Sequence, residues 1–125
     1  MKLPISVQEG SRTPIYHQIE EQIKALIVSG HVSAGTPLPS IRALSKDLAC
    51  SVITTRRAYQ NLEQQGYIKT SQGRGTFVAE IDERSKKEAK TEAVYDTLKK
   101  AVEVGRRHSY TDDELRKLFE EALME

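Results

Sequence analysis

The sequence predicts a mainly α-helical chain with one small β-hairpin, ordered as helix, short helix, tight turn, helix, hairpin and then two further helices. Three observations carry that reading. Apolar side chains recur at three- and four-residue intervals in several segments, the spacing that places them on one face of a helix. Two β-prone segments, Tyr67-Ile68-Lys69-Thr70 and Thr76-Phe77-Val78, flank a glycine-rich tip. From about residue 80 onward the chain turns highly charged and contains no proline.

Each element has its own signals. Leu3, Ile5 and Val7 alternate with other residues and predict a short N-terminal strand. Thr13-Pro14 reads as a helix start, with threonine as N-cap and proline in the first helical position, where its missing N–H is no loss. Ile15, Ile19, Ile23, Leu26 and Ile27 form one stripe, and Gly30 supplies a left-handed residue that ends a helix over 14–29. Residues 30–39 (GHVSAGTPLP) are loop chemistry. Ser40 caps a short helix over 41–48, with Ile41, Leu44 and Leu48 on one face. Ala49-Cys50-Ser51 leaves room only for a tight turn. Ser51 caps a third helix over 52–65, whose inner face offers Thr55, Ala58, Tyr59 and Leu62, and Gly66 ends it. Ser71-Gln72-Gly73-Arg74-Gly75 then joins the two β-prone segments. Helices followed by a hairpin with a basic tip make a winged helix-turn-helix, expected over residues 1–79.

Residues 80–125 form the second expected unit. Ala93, Val94, Leu98, Ala101 and Val102 make a thin stripe on a helix over 83–104, and residues 105–110 read as a connection. Thr111 and Glu114 have the spacing of a capping box. Leu115, Leu118, Phe119, Ala122 and Leu123 line the final helix. A two-helix hairpin cannot bury both of its faces alone. This predicts a two-fold homodimer formed through 80–125, with folding back onto the winged unit as the competing arrangement.

Composition excludes several functions. Apolar residues are 38% and charged residues 30% of the chain, which is globular but lean in core material. Nineteen Lys/Arg against eighteen Asp/Glu leave no bulk attraction for a polyanion, yet the charges are unevenly spread. Residues 1–80 hold nine basic against six acidic side chains, 81–125 hold ten against twelve, and 36–76 hold six against two. A local basic face is what phosphate contact requires, although chance scatter of surface charge produces similar counts. One cysteine, Cys50, excludes an internal disulfide framework and a cysteine-based zinc site. His17, His31 and His108 stand far apart. There is no Walker loop, dinucleotide fingerprint or nucleophile elbow, so no catalytic residue, cofactor or metal is expected. No apolar run approaches the roughly 20 residues of a membrane span. Met1-Lys2-Leu3-Pro4 does not open a secretory signal. A cytoplasmic chain with no membrane partner is the expectation.

The outward face of the third helix begins Ser51, Val52, Ile53, Thr54 and continues through Arg56, Arg57, Gln60 and Asn61. In a helix-turn-helix this end enters the major groove of double-stranded DNA. Hydroxyls at Ser51 and Thr54 suit phosphates or base edges, and Arg56 and Arg57 suit phosphate or guanine. Exposed Val52 and Ile53 gain nothing from water, whereas contact with thymine methyl groups would give them a use. Arg42 stands in the first turn of the preceding helix, where the positive dipole end opposes a cation and a phosphate would reverse the penalty. Arg74 lies between Gly73 and Gly75, with little bulk to prevent close approach to a groove. Each feature also has a plain reading, since arginines keep helices soluble and Gly-Arg-Gly tips are common.

Read together, Pro14-Ile15-Tyr16, Gly35-Thr36-Pro37-Leu38-Pro39-Ser40-Ile41-Arg42, Thr54-Thr55-Arg56-Arg57-Ala58-Tyr59, Leu62-Glu63-Gln64-Gln65-Gly66-Tyr67-Ile68 and Gly73-Arg74-Gly75-Thr76-Phe77-Val78 form one pattern. It resembles the DNA-binding domain of the GntR family of bacterial transcription regulators, in order and spacing, over residues 14–78. The resemblance implies that Arg42, Ser51, Thr54 and Arg56 face DNA, with Gly73 and Arg74 in the wing. Val52 and Ile53 depart from it, standing where relatives usually carry polar residues or proline. The short two-helix tail resembles the YtrA-like subfamily, whose members often control transporter operons. The leading expectation is a homodimeric repressor whose two recognition helices read an inverted-repeat operator. No residue identifies a small-molecule effector. The competing expectation is a winged-helix protein-interaction module without operator binding, its basic face meeting an acidic protein.

Overall fold

A computed structural model describes residues 2–125 of the chain. The elements run α1 (Ile15–Val28), α2 (Ile41–Leu48), α3 (Val52–Gln64), β1 (Ile68–Ser71), β2 (Gly75–Val78), α4 (Glu83–Arg107) and α5 (Asp112–Leu123). They form two compact units, Met1–Lys87 and Glu88–Glu125, with the boundary inside α4.

In the first unit α3 is the hub, packing against α1, α2 and β1. Its inner face is the one the spacing predicts, with Thr55, Ala58, Tyr59 and Leu62 buried. Ile19, Ile23 and Ile27 of α1 complete the core together with Leu3, Val32, Leu38, Leu44, Ile68 and Val78. The expected caps of α2 and α3 form. The Ser40 hydroxyl accepts from the Ala43 N–H at 3.0 Å and the Ser51 hydroxyl from the Thr54 N–H at 3.1 Å. Between the two helices Ala49 takes the left-handed conformation (φ 53°), which is what closes the turn.

Two local expectations are corrected. Pro14 itself occupies the N-cap position of α1 with extended backbone, and no side chain caps the helix, Thr13 included. The residues around Leu3, Ile5 and Val7 form no strand. Their alternation is real, since Leu3 is buried and Ile5 and Val7 pack on the core. Their backbone, however, pairs with two glutamine side chains of α1 instead of with another strand. The Gln22 amide accepts from Ser6 N–H at 3.0 Å and donates to Ser6 C=O at 2.6 Å. One turn earlier, Gln18 accepts from Gln8 N–H at 2.8 Å and donates to Gln8 C=O at 3.0 Å.

The wing is an antiparallel pair with Ile68 opposite Val78 and Ser71 opposite Gly75. The loop before α2 lies along the outer edge of β2, with Gly35 N–H donating to Val78 C=O, Leu38 N–H to Thr76 C=O and Val78 N–H to Thr36 C=O at 2.8–2.9 Å. Two side chains of α3 fix this assembly. Glu63 accepts from the Thr70 N–H of β1 at 2.9 Å. The buried Tyr59 hydroxyl donates to the Pro39 carbonyl at 2.7 Å.

Burial pushes the Tyr59 phenol well above its ordinary value. The folded chain therefore holds this proton at pH values where the unfolded chain releases it. The contribution is complete below about pH 10, the value of a free tyrosine, and is lost as pH rises above it. Tyr59→Phe is expected to remove that alkaline loss and to lower stability near neutrality by about 1–3 kcal/mol, because the Pro39 carbonyl loses its donor. Urea titrations at neutral and alkaline pH check both; an unchanged alkaline slope in the variant would assign the effect to another group.

In the second unit α4 runs to Arg107, beyond the expected end at 104, and the connection shrinks to the residues around Ser109, which adopts φ 64°. Gly105 is helical and marks a close approach: a Cβ there would run into Cδ2 of Leu115 on α5. The Thr111–Glu114 capping box forms in both directions, at 3.2 and 2.9 Å. The Thr111 N–H bond holds the Glu114 carboxyl below its usual range. No residue of α4 or α5 is buried, and an open, mainly apolar groove of about 960 Å³ runs between them, lined by Leu98, Val102, Leu115, Leu118 and Phe119 among others.

Candidate nucleic-acid interface

Three exposed cations stand on three different elements of the winged unit: Arg42 at the start of α2, Arg56 on α3 and Arg74 at the wing tip. Among the described residues none of them has a carboxylate within ion-pair distance. Arg42 follows Ser40 and Ile41, so its charge sits at the positive end of the α2 dipole with no local compensation. Arg74 is held up by flanking glycines, Gly73 (φ 79°) and Gly75 (φ 109°), whose conformations strain any residue with a Cβ.

The N-terminus of α3 divides the remaining candidates. Ser51 uses its hydroxyl internally, accepting from Thr54 N–H and donating to Thr54 Oγ1 at 2.8 Å. Thr54 thereby keeps its own hydroxyl hydrogen for an outside acceptor. Val52 is half-buried, while Ile53 stands 76% exposed. Arg57 stacks its guanidinium 3.9 Å from the centre of the Tyr16 ring on α1. That cation–π contact holds the charge of Arg57 against α1. Ile53, Arg56 and Gln60 recur at helical spacing opposite the buried face of α3, so one outward surface carries them.

Residues that reading the sequence missed are those that hold the frame. Glu63 ties the wing to α3, and Tyr59 ties α3 to the loop before α2. An acid near a helix end reads as solvated, and an inner-face tyrosine reads as core. Cys50 lies half-buried with its sulfur 3.3 Å from Thr55 Oγ1, and Thr55 Oγ1 accepts from Ser45 at 2.8 Å. Among the described residues no group of His, Cys, Asp and Glu could hold a metal ion, and no helix is long and apolar enough to cross a membrane.

Comparison with known proteins places this geometry. The profile of bacterial regulatory proteins of the gntR family matches residues 15–78. The HTH-type transcriptional repressor YtrA of Bacillus subtilis (strain 168) is 35% identical over 116 residues, spanning 93% of this chain and 87% of its own length. A solved GntR family transcriptional regulator from Listeria monocytogenes shares the fold with TM-score 0.78 and 25% identity, over 92% of this chain and 98% of its own. The DNA-binding domain of AraR, solved in complex with operator ORX1, matches 59% of this chain and 94% of its own with TM-score 0.54 and 31% identity. The curated relatives are transcriptional regulators, not enzymes. By its winged helix-turn-helix and its matched residues, the chain belongs to the GntR family of bacterial DNA-binding transcription regulators, and it is YtrA-like over most of its length.

Proposed function

We propose that the chain is a cytoplasmic homodimeric repressor that binds an inverted-repeat operator in double-stranded DNA. Its YtrA-like character makes a transporter operon the expected target. The observation that carries the reading is the set of exposed cations Arg42, Arg56 and Arg74, without an ion-pair partner among the described residues, on α2, α3 and the wing of one compact unit, with Thr54 and Arg57 on the same helix as Arg56. Phosphates would supply the charge that these residues lack within the chain. The solved AraR domain on its operator supports the same use of the shared fold. Dimerisation through residues 80–125 is favoured by the unburied apolar side chains of α4 and α5, among them Tyr95, Leu98, Leu118 and Phe119. Two copies would then read half-sites about one helical turn apart.

Arg42→Ala and Arg56→Ala are each expected to cost about 1–3 kcal/mol of operator binding. Each should also flatten the salt dependence by the counterion it no longer releases, with dimer mass and helicity unchanged. Fluorescence anisotropy with the duplex upstream of the chain's own gene, across a salt series, measures this. Unchanged affinity in both variants would remove these residues from the interface. Absence of wild-type binding to any duplex would favour the protein-interaction reading instead.

A further inference from the structure

Val52 and Ile53 are adjacent in sequence and differ in environment. Val52 is half-buried at the start of α3, whereas Ile53 is 76% exposed, and neither belongs to the core or to the apolar shell packed against it. Folding does not account for an isoleucine there, because a β-branched residue in the first turn of a helix is a weaker helix former than alanine or glutamine. Solubility does not account for it either. Its neighbours on α3 are cationic and hydroxylic: Arg56 lies one turn further on the same face and Thr54 is adjacent. A duplex groove presents phosphates along its walls, and in the major groove the 5-methyl group of thymine is the apolar group on its floor.

We propose that Ile53 is a specificity residue that receives the 5-methyl group of one thymine in each operator half-site. This rests on the DNA-binding reading above and adds what that reading leaves open, a required T·A pair. Because the contact is uncharged, it separates from the arginine contacts by its indifference to salt. Arg56 and Thr54 would set the depth of α3 in the groove, and Ile53 would read the base pair there.

The test removes one methyl group and nothing else. The full chain selects its tightest duplex from a random library, and each thymine of that duplex is replaced in turn by deoxyuridine. At one symmetric pair of positions the wild type is expected to lose about fourfold in affinity per half-site, the effect of exposing one methyl group. Ile53→Ala, which favours the helix more than isoleucine does, should bind the thymine duplex with that same loss and show no further loss with uracil. Its salt dependence should equal that of the wild type. Uracil that is harmless at every position, or equally harmful to wild type and Ile53→Ala, overturns the proposal while leaving DNA binding intact. A selection that yields no salt-sensitive duplex at all overturns the DNA-binding reading beneath it.

Discussion

Replacing Leu118 and Phe119 together by aspartate is expected to convert the chain to a monomer and to weaken operator binding by about 10²- to 10⁴-fold. The two side chains sit on α5 at 44% and 48% exposure and line the apolar groove against α4. Since no residue of either helix is buried, this pair of helices has no closed core of its own. A second copy laid on the same faces would supply one, and carboxylates placed there would have to be desolvated, which is several kcal/mol worse than leaving them in water. The large effect on DNA comes from linkage. In the proposed dimer, once one reading head is seated the second would meet its half-site at an effective concentration in the millimolar range, and separating the heads would abolish that advantage. Sedimentation velocity and anisotropy on the same samples check both parts. A variant that remains dimeric would place the interface elsewhere, and a monomer with undiminished affinity would show that one head suffices. Lys117→Glu, on the same helix but outside the groove lining, is the control for added acid, with neither change expected.

Much of this arrangement was legible in the sequence, for a physical reason that also marks where legibility ended. Ser40, Ser51 and Thr111 announce helix starts because the side-chain oxygen that gives the signal is itself the bonding partner in the fold. The buried face of α3 was legible because a period of 3.6 residues determines which side chains share a face. Contacts that run through backbone leave no such mark. Nothing in the identities of Gly35 to Leu38 announces that their N–H and C=O groups line the edge of β2. The alternation of Leu3, Ile5 and Val7 correctly indicates which side chains turn inward, but it is silent on the partner, and Gln18 and Gln22 do the work of a neighbouring strand. Gly105 misleads for a related reason. A glycine serves either a turn or a close approach, and only the position of Leu115 on the facing helix decides between them. At the candidate interface, the sequence placed Arg56 and Arg57 together, while Tyr16, forty-one residues earlier than Arg57, distinguishes them by its cation–π contact with Arg57 alone.

Leu62→Ala is expected to destabilise the winged unit by about 2–5 kcal/mol, the range for truncating a fully buried leucine. Leu62 has no exposed surface, and it lies on the helix that packs against α1, α2 and β1 at once, so the surrounding elements cannot all move to close the gap. For a domain whose whole stability is on the order of 5–15 kcal/mol, this is a large fraction. The urea midpoint should fall by about 1–3 M if the slope is near the middle of its ordinary range. Operator affinity at low temperature should nevertheless stay close to that of the wild type, because Leu62 faces away from Ile53, Arg56 and Gln60 and the folded molecules that remain present the same outward surface. Arg56→Ala should behave in the opposite way, with its midpoint held and its affinity reduced, since an exposed arginine without a carboxylate partner contributes little to folding. Denaturation curves and anisotropy titrations on the two variants therefore form a crossed pair. If Leu62→Ala loses affinity while still fully folded, the outward face of α3 depends on its packing in detail, and recognition would have to be assigned to the tuned pose of the helix as well as to the side chains it carries.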